Sequence, residues 1–318
     1  MKILVTGANG QLGHDVVVEL LKRNTPVIGC DIGEGLENPL GEFPGEGIPY
    51  LRLDVTDEAA IAEAIRETKP DAVIHCAAWT AVDAAQEEAN REKVLAVNAG
   101  GTASIAKSCR EIGAKMMYIS TDYVFHGKGT EPWKPDCRDL APVNLYGQSK
   151  LEGEKAVQSW LERYFILRTS WVFGLMGKNF VNSMLKASQK TNRVRVVADQ
   201  IGTPTYTPDL ARLIADMIVT DSFGCYHATN EGGYISWYEF ACEIFRQTGQ
   251  KTKVEPVTTK EYGFSKAIRP LNSRLDKGKL REKGFQPLPD WRDGLKRYLE
   301  RMGEIASEED PFDQPSAL

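Results

Sequence analysis

Two hydrophobic spacings alternate along this chain. Short unbroken runs of aliphatic residues, typical of strands buried on both faces, separate segments whose apolar residues recur every three or four positions, as in amphipathic helices. The runs predict strands at 3–6, 27–31, 50–55, 72–78, 115–120 and 164–169. The helical spacing predicts helices through 16–21 and at 57–68, 94–112 and 146–161. This alternation predicts an α/β fold with a doubly wound parallel sheet of the Rossmann type.

The rhythm becomes less regular beyond Trp171. Helical segments and Pro-rich turns in this part are interpreted as a smaller C-terminal domain over the strand ends, in which substrate would bind. The predicted division is a main domain at 1–172 that 206–228 rejoins, a smaller domain from 173–205 and 229–302, and a disordered acidic tail at 303–318.

A glycine-rich turn follows the first strand and precedes the first helix. Gly7, Gly10 and Gly13 would let the backbone approach a ligand closely, while the helix N-terminus offers free N–H groups to a pyrophosphate. Their spacing, G-x-x-G-x-x-G, is one residue wider at its start than the dinucleotide fingerprint. Asp31 ends the second strand, where a carboxylate can bind the adenosine ribose hydroxyls and would repel a 2′-phosphate. These features predict a dinucleotide-binding domain. The alternative is a glycine turn without a ligand and an Asp31 that caps a loop.

A tyrosine and a lysine stand four residues apart at the start of a predicted helix. Tyr146 and Lys150 therefore share one helix face. A nearby ammonium favours the phenolate, so we expect it to lower the pKa of the phenol toward a useful acid–base range. The same lysine can hold the nicotinamide ribose. Ser120 or Thr121, at the end of the fifth strand, would hydrogen-bond a reacting carbonyl oxygen. Alternatively, the pair lies on an ordinary exposed helix face.

Composition narrows the class of protein. The 318 residues are 42% hydrophobic and 26% charged, and the net charge of −5 argues against a nucleic-acid-binding surface. No apolar run is long enough to span a bilayer and the chain enters its first strand directly, which predicts a cytoplasmic protein without membrane contact. The six cysteines are scattered without a C-x-x-C pair, so we expect reduced thiols and no metal site.

Several motifs together resemble a known family. These are GANGQLG (7–13), CAAWTAVDAAQEE (76–88), STDYVF (120–125), YGQSK (146–150), RTSWVFG (168–174) and DQIGTPT (199–205). In this order they resemble the extended short-chain dehydrogenase/reductases, and within them the dTDP-4-dehydrorhamnose reductase family. The likeness covers residues 1 to about 300. GANGQLG alone is much less specific than STDYVF followed by YxxxK and RTSWVFG.

The resemblance implies an NADPH- or NADH-dependent oxidoreductase. Its expected reaction reduces the 4-keto group of a nucleotide-activated 6-deoxyhexose, dTDP-4-dehydro-L-rhamnose to dTDP-L-rhamnose, and supplies a cell-surface polysaccharide. By motif match, Tyr146 is the proton donor, Lys150 is its partner and Thr121 orients the keto oxygen. Because Asp31 has no adjacent arginine, we expect NADH to serve at least as well as NADPH.

The resemblance also implies residues that bind the two ligands. The expected cofactor contacts are Gly7, Gly10, Gln11, Leu12, Gly13, Asp31, Asp54, Val55, Ala77, Ala78, Thr80, Tyr146 and Lys150. The expected contacts to the nucleotide sugar are Thr121, Asp122, Trp171 as an aromatic wall, Val82 and Arg269. Arg269 and Arg274 could meet its phosphates, since paired guanidinium groups suit a diphosphate.

Each of these roles has a structural alternative. Trp171 could simply fill the core, and Asp122 could cap a loop. Asp54 could cap the helix that follows, although Thr56 is the residue expected there. Arg269 could form a salt bridge instead of binding phosphate.

Assembly and function also keep alternatives. A homodimer is expected, and some relatives dimerise around magnesium through helix carboxylates. Asp15 and Glu19 could contribute, but no metal is predicted here. The alternative functions are a nucleotide-sugar epimerase, a reductase of another 4-ketosugar, or a non-catalytic dinucleotide-binding regulatory subunit. The complete Thr121, Tyr146 and Lys150 set weighs against the last.

Overall fold

A seven-stranded parallel sheet forms the centre of the part that the computed structural model describes, residues 1–37, 41–43 and 47–303. In chain order the strands are β1 Ile3–Thr6, β2 Val27–Asp31, β3 Tyr50–Arg52, β4 Ala72–His75, β5 Lys115–Thr121, β6 Tyr164–Thr169, β7 Val172–Phe173, β8 Arg193–Val197, β9 Ile201–Gly202, β10 Thr205–Tyr206, β11 Gly224–His227, β12 Ile235–Ser236 and β13 Lys253–Val257. The helices are α1 Gln11–Lys22, α2 Glu58–Thr68, α3 Val82–Ala85, α4 Arg91–Leu95, α5 Thr102–Ile112, α6 Leu145–Trp160, α7 Phe180–Ser188, α8 Thr207–Ile218, α9 Trp237–Gln247, α10 Thr259–Tyr262, α11 Gly278–Glu282 and α12 Trp291–Arg301.

The strand order in the sheet is β11-β6-β5-β4-β1-β2-β3. β1 pairs with β2 on one side and with β4 on the other, so the direction of winding reverses between β1 and β4. In open α/β sheets of this kind a crevice forms at that reversal, outside the carboxyl ends of the strands. The predicted doubly wound parallel sheet is confirmed.

Helices cover both faces of the sheet. α1 and α8 pack together on one face, and α2, α5 and α6 form the layer on the other. The first layer buries residues such as Val16 and Leu210 against β1, and the second buries residues such as Ile61 and Ile105 against β4 and β5. Such two-sided burial explains why these strands have continuous hydrophobic runs instead of alternating ones.

A second hydrophobic core lies beyond the sheet. It joins α7, α9 and α12 to β7 and β8 around aromatic side chains that include Phe173, Phe240, Trp291 and Tyr298. Three small strand pairs frame this part, β10 with β7, β12 with β9 and β13 with β8. β11 returns to the main sheet and pairs with β6.

Two predicted strands are shorter than expected. β3 ends at Arg52 instead of residue 55, and β4 ends at His75 instead of residue 78. The residues that leave the sheet, 53–55 and 76–78, line the cleft described below. Their apolar side chains produced the strand pattern because they face this cleft and the adjacent helices. The first residue of each segment still bonds to the backbone of a neighbouring strand, through the N–H groups of Leu53 to Asp31 at 2.8 Å and of Cys76 to Thr6 at 3.2 Å.

The predicted helix 94–112 is interrupted. A wider π-helical turn at Ala96–Gly101 separates α4 from α5. A Cβ at Gly101 would lie 2.2 Å from the carbonyl oxygen of Val55, so the glycine allows a close approach between the backbones. The sequence prediction also missed α3 and β13.

Two further predictions concern the ends of the described chain and the membrane. Apart from Gly303, the tail predicted at 303–318 lies outside the described residues. Among the helices within the described ranges, none combines the length and the apolar character that a bilayer crossing needs.

Candidate active site

A cleft of about 1210 Å³ lies at the carboxyl ends of the parallel strands. It collects residues from segments that are far apart in the sequence, from Gly7 to Trp237. The expected site residues that line it are Gly7, Gly10, Gln11, Leu12, Gly13, Asp31, Asp54, Val55, Ala77, Ala78, Thr80, Val82, Thr121, Asp122, Tyr146, Lys150 and Trp171. Arg269 is the expected site residue that the cleft lining does not include.

The glycine turn closes one end of the cleft. Gly7 has φ +69°, and a Cβ there would lie 2.6 Å from the backbone nitrogen of Ala77. A Cβ on Gly13 would lie 2.0 Å from the carbonyl oxygen of Gly7. Gly10 is the N-cap of α1 and supplies no side-chain cap to the first N–H groups of the helix. The turn therefore fits a pyrophosphate, which can accept hydrogen bonds from these N–H groups.

Asp31 lies beside this turn at the end of β2. Its carboxylate accepts hydrogen bonds from the backbone N–H groups of Asn9 at 3.0 Å and Ile32 at 2.7 Å. A carboxylate has about four acceptor positions, so Asp31 can still bind ribose hydroxyls. Arg52 of β3 lies opposite Asp31 in the strand pairing and forms an ion pair with Glu34 at 2.7 Å. That arginine is consequently already paired with an acid beside the place where a 2′-phosphate would lie.

Asp54 stabilises the loop along the cleft wall. Its Oδ1 accepts hydrogen bonds from the backbone N–H and the hydroxyl of Thr56, and these two bonds lower the pKa of the carboxyl group. Asp57, not Thr56, is the N-cap of α2, because its carboxylate accepts the N–H of Ala60 at 3.0 Å. The prediction that Thr56 caps this helix was wrong.

Tyr146 and Lys150 face the cleft from the first turns of α6. The helix begins where the side chain of Asn144 accepts the N–H of Gly147 at 2.8 Å. The ammonium of Lys150 lies 4.1 Å from the centre of the Tyr118 ring. Burial lowers the pKa of Lys150 to about 7, against the opposing effect of the Glu154 carboxylate.

The pKa of Tyr146 differs from the expectation. Burial raises it above its usual value, and a side-chain hydrogen bond with Thr121 only partly opposes the shift. The predicted lowering by Lys150 was therefore wrong for this structure, because the loss of hydration of the phenolate dominates. A phenol in this environment stays protonated at neutral pH, so it carries a proton that it can donate.

Thr121 and Asp122 lie opposite these two residues at the end of β5. The Thr121 hydroxyl donates a hydrogen bond to Oδ1 of Asp122 at 3.0 Å and accepts one from the N–H of Tyr123 at 3.2 Å. Asp122 is only 2% exposed, and burial raises its pKa to about 6. Within the described part of the chain its Oδ2 has no partner at hydrogen-bond geometry, although the side chain of Ser273 is close enough to lower the pKa of the carboxyl group. This buried oxygen is a ready acceptor for a ligand hydroxyl.

A buried ion pair lies behind the site and connects three of its elements. Arg168 of β6 donates two hydrogen bonds to Glu154 of α6, at 2.8 and 2.6 Å. The hydroxyl of Ser120 on β5 donates a third at 2.5 Å. Both charged side chains are at most 3% exposed. The network fixes the positions of the elements that carry Thr121, Tyr146 and Lys150.

Trp171 belongs both to the cleft lining and to the second hydrophobic core. Its backbone has φ +50°, a left-handed conformation that costs a non-glycine residue about 1–3 kcal/mol. Its ring stacks on that of Trp237, with centroids 3.8 Å apart and planes 15° from parallel. The two interpretations offered for Trp171, cleft wall and core packing, are therefore compatible.

Neither predicted phosphate-binding arginine points into the cleft. Arg269 forms an ion pair with Asp83 at 2.6 Å and donates a hydrogen bond to the Tyr123 hydroxyl at 3.1 Å. Arg274 donates to the side-chain oxygen of Asn272 at 2.9 Å. The salt-bridge interpretation describes the contacts of Arg269, whose Nε, Nη1 and Nη2 each donate one hydrogen bond within the protein.

Comparison with known proteins gives the family. The family model described as RmlD substrate binding domain matches residues 1–304. The chain belongs to this family. The spore coat polysaccharide biosynthesis protein SpsK of Bacillus subtilis is 38% identical over 299 residues, which are 94% of this chain and 97% of that protein.

Solved structures of similar proteins agree with this membership. A dTDP-4-dehydrorhamnose reductase from Clostridium acetobutylicum superimposes with a TM-score of 0.85 at 38% identity, over 95% of this chain and 100% of that one. The same enzyme from Bacillus anthracis, in complex with NADP, gives a TM-score of 0.83 at 38% identity, over 94% of this chain and 99% of that one.

Sequence reasoning missed several cleft residues of this RmlD-family protein. Tyr123, Lys93, Lys178 and Trp237 all line the cleft. Ser236 and Glu239 form a capping box that marks the start of α9, so the helix itself could have been predicted. No local signal could have placed Trp237 at the cleft, because it reaches Trp171 only through the tertiary structure.

One group of potential metal ligands lies within the described residues. The ligand atoms of His14, Asp15 and Glu42 are within 4.8 Å of one another. Arg301 already pairs with Glu42, and Glu19, the other acid considered for magnesium, pairs with Arg23 at 2.7 Å. We assign no metal to this group.

Proposed function

We propose that this protein is an NADH- or NADPH-dependent reductase of a nucleotide-activated 4-keto-6-deoxyhexose. The proposed reaction converts dTDP-4-dehydro-L-rhamnose to dTDP-L-rhamnose. The observation that carries the proposal is that Tyr146, Lys150 and Thr121 line the same cleft as the glycine turn and Asp31. The names of the similar proteins and the NADP bound to one of them support the substrate and the cofactor.

The cofactor would lie along the switch between β1 and β4. The N-terminus of α1 would bind its pyrophosphate, Asp31 its adenosine ribose and Lys150 its nicotinamide ribose. Residues 76–78 leave the sheet in the space between these groups, and the small side chains of Ala77 and Ala78 leave room for a planar ring. When bound, the reduced nicotinamide supplies a hydride to the keto carbon.

Tyr146 would supply the proton. The phenol, whose pKa burial raises further above neutral, is protonated at neutral pH and can donate to the oxygen on C4 as negative charge develops there. The Lys150 ammonium, one helical turn away, would then stabilise the phenolate that remains. Reprotonation from water would complete the cycle.

Thr121 and Asp122 would hold the sugar. The single hydroxyl hydrogen of Thr121 is donated to Asp122 in this structure, so the hydroxyl must rotate to donate to the keto oxygen. That rotation frees Oδ1 of Asp122, which can accept a sugar hydroxyl together with Oδ2. We therefore propose that substrate binding breaks the hydrogen bond between Thr121 and Asp122. Thr121 then donates to the keto oxygen, and Asp122 accepts a sugar hydroxyl.

The test is NAD(P)H oxidation with dTDP-4-dehydro-L-rhamnose, with both cofactors compared. Replacement of Tyr146 by Phe removes only the hydroxyl and should lower kcat by roughly 10²–10⁴-fold, the usual contribution of a general acid. The dissociation constant for NADH, followed by cofactor fluorescence, should stay within about twofold. Unchanged turnover in this variant would contradict the proposed role of Tyr146.

The same assay distinguishes the alternatives. An epimerase would purify with tightly bound NAD and need no added reductant, and a reductase of another sugar would turn over a different 4-ketohexose. A regulatory subunit would bind dinucleotide without turnover. We propose a cytoplasmic enzyme whose product enters a cell-surface polysaccharide, and the homodimer stays a prediction.

A further inference from the structure

Both faces of the Trp171 ring are covered. Trp237 stacks on one face with ring centroids 3.8 Å apart. A Cβ built on Gly202 would lie 2.8 Å from the ring-fusion atom Cε2 of Trp171 and 3.0 Å from each of its neighbours Nε1 and Cζ2. Cε2 is the nearest of the three atoms, as expected for an approach onto the face of a ring and not onto its edge.

Gly202 and Trp237 lie on opposite faces of this ring. If they shared a face, atoms of Trp237 would be closer to the Gly202 Cβ position than the Trp171 atoms are, but the three nearest atoms all belong to Trp171. We call this arrangement, Trp171 between Gly202 and Trp237, the indole clamp. Trp237 therefore occupies one face of Trp171 and Gly202 approaches the other at its ring fusion, which favours an edge of the ring as the part that faces a ligand.

Both sides of the clamp belong to one small structural unit. Gly202 is in β9, and Trp237 follows β12, which pairs with β9 so that Ile235 lies opposite Gly202. The capping box fixes the start of α9 beside this ribbon, because Ser236 accepts the N–H of Glu239 at 3.1 Å and Glu239 accepts that of Ser236 at 2.7 Å. The clamp is therefore held by backbone pairing and a helix cap.

The clamp acts next to the proposed catalytic residues. Trp171 comes two residues after Thr169, which is the register partner of Thr121 across β5 and β6. Its left-handed backbone, φ +50°, requires support from its surroundings. A shift of the ring would therefore alter the wall that faces a sugar held by Thr121 and Asp122.

We propose that Trp237 is a positioning residue that acts through Trp171 and sets the binding site of the sugar. This proposal rests on the proposed function. The edge of the Trp171 ring would form one side of the sugar pocket, and stacking against Trp237 would fix the orientation of that ring. The stack affects binding of the nucleotide sugar, while cofactor binding depends on the opposite end of the cleft.

The experiment measures KM for dTDP-4-dehydro-L-rhamnose, kcat and the NADH dissociation constant in a set of variants. The loss of a stacked aromatic pair changes an equilibrium constant of binding or folding by roughly three- to tenfold. We expect Trp237→Leu to raise KM by roughly this factor, with kcat and NADH binding within about twofold. Trp237→Phe should restore most of the loss, since it keeps a stacked ring.

A second variant disturbs the ring from its other face. Gly202→Ala adds a Cβ 2.8 Å from Trp171, so the indole must move, and KM should rise while NADH binding is unchanged. In a Trp171→Leu background, Trp237→Leu should add no more than about twofold to KM, because its effect passes through Trp171.

A spectroscopic measurement follows the clamp directly. Two stacked indoles couple their electronic transitions and give a paired positive and negative band in circular dichroism. This band should disappear in Trp171→Leu and in Trp237→Leu. It should persist in Trp160→Phe, a control at the far end of α6 whose indole contacts Arg110 instead.

The outcomes separate the two proposals. If the wild-type protein does not reduce the ketosugar, the proposed function is wrong. The proposed role of the indole clamp in sugar binding is then wrong as well. If the wild type turns over but Trp237→Leu leaves KM unchanged, only the clamp proposal is overturned. Full additivity of the Trp171→Leu and Trp237→Leu effects would overturn it as well, because it would mean that Trp237 acts independently of Trp171.

Discussion

The two ends of the cleft, the cofactor end and the sugar end of the proposed function, have walls of different composition. At the cofactor end the wall is mainly backbone, formed by the Gly7–Gly13 turn and by chain that leaves the sheet after β3 and β4. At the sugar end it is formed by side chains, with Trp171 between Gly202 and Trp237, with Asp122 buried and with Tyr146 partly buried beside them. Backbone walls tolerate no added volume, whereas side-chain walls depend on packing and charge. Substitutions at the two ends should therefore affect ligand binding and stability in different ways.

The largest effect is expected where the cofactor wall is tightest. Gly13→Ala would place a Cβ 2.0 Å from the carbonyl oxygen of Gly7, so the turn must move. We expect NADH affinity to fall by roughly 100-fold or more, because the N–H groups that face the pyrophosphate move with it. Gly35→Ala is the control, since its added Cβ meets nothing within 4 Å. Isothermal titration with NADH measures both, and equal affinities would show that the turn is not the cofactor site.

The ion pair behind the site should respond through stability. Glu154→Gln leaves the buried guanidinium of Arg168 without its counter-charge, which should lower the free energy of unfolding by about 3 kcal/mol. Glu152, on the same helix, is exposed and pairs with Lys155 at 2.8 Å. Glu152→Gln should cost less than about 1 kcal/mol. Urea denaturation compares them, and similar losses would contradict a special role for the buried pair.

Cofactor affinity should depend on pH through Lys150. Burial lowers the pKa of Lys150 to about 7, so raising the pH through 7 removes its positive charge from the free protein. Binding of the dinucleotide favours the charged form, and affinity should therefore fall as pH rises above about 7, at most tenfold per pH unit. NADH fluorescence titrations from pH 6 to pH 9 measure the slope. Lys150→Met should bind more weakly at pH 6 and show no such slope, and a slope that persists in this variant must come from another group.

The smallest expected effect concerns cofactor choice. Asp31→Ser removes the carboxylate that would repel a 2′-phosphate, and affinity for NADPH relative to NADH should rise by roughly tenfold, about 1.4 kcal/mol. Parallel titrations with the two cofactors give the ratio. An unchanged ratio would place the adenosine ribose away from Asp31.

Much of the cofactor end could be predicted because its signals are local. A strand, a glycine turn, a helix and an acid follow one another within 31 residues, and every predicted cofactor contact lies on the cleft. The spacing of Tyr146 and Lys150 likewise follows from helix geometry. The pKa of Tyr146 could not be predicted in this way, because burial, which the spacing does not report, dominates the shift.

The sugar end shows the limit of such reasoning. Arg269 was expected to meet phosphate, but it is paired with Asp83, which is 186 positions away in the sequence. Trp237 gave no functional signal, although its ring covers one face of Trp171. The chain alone determined the alternation of strands and helices, the glycine turn and the spacing of Tyr146 and Lys150, since these depend on neighbours within a few residues. Only the tertiary structure decided which distant side chains cover Trp171, pair with Arg269 and desolvate Tyr146, because packing and burial arise when separate segments meet.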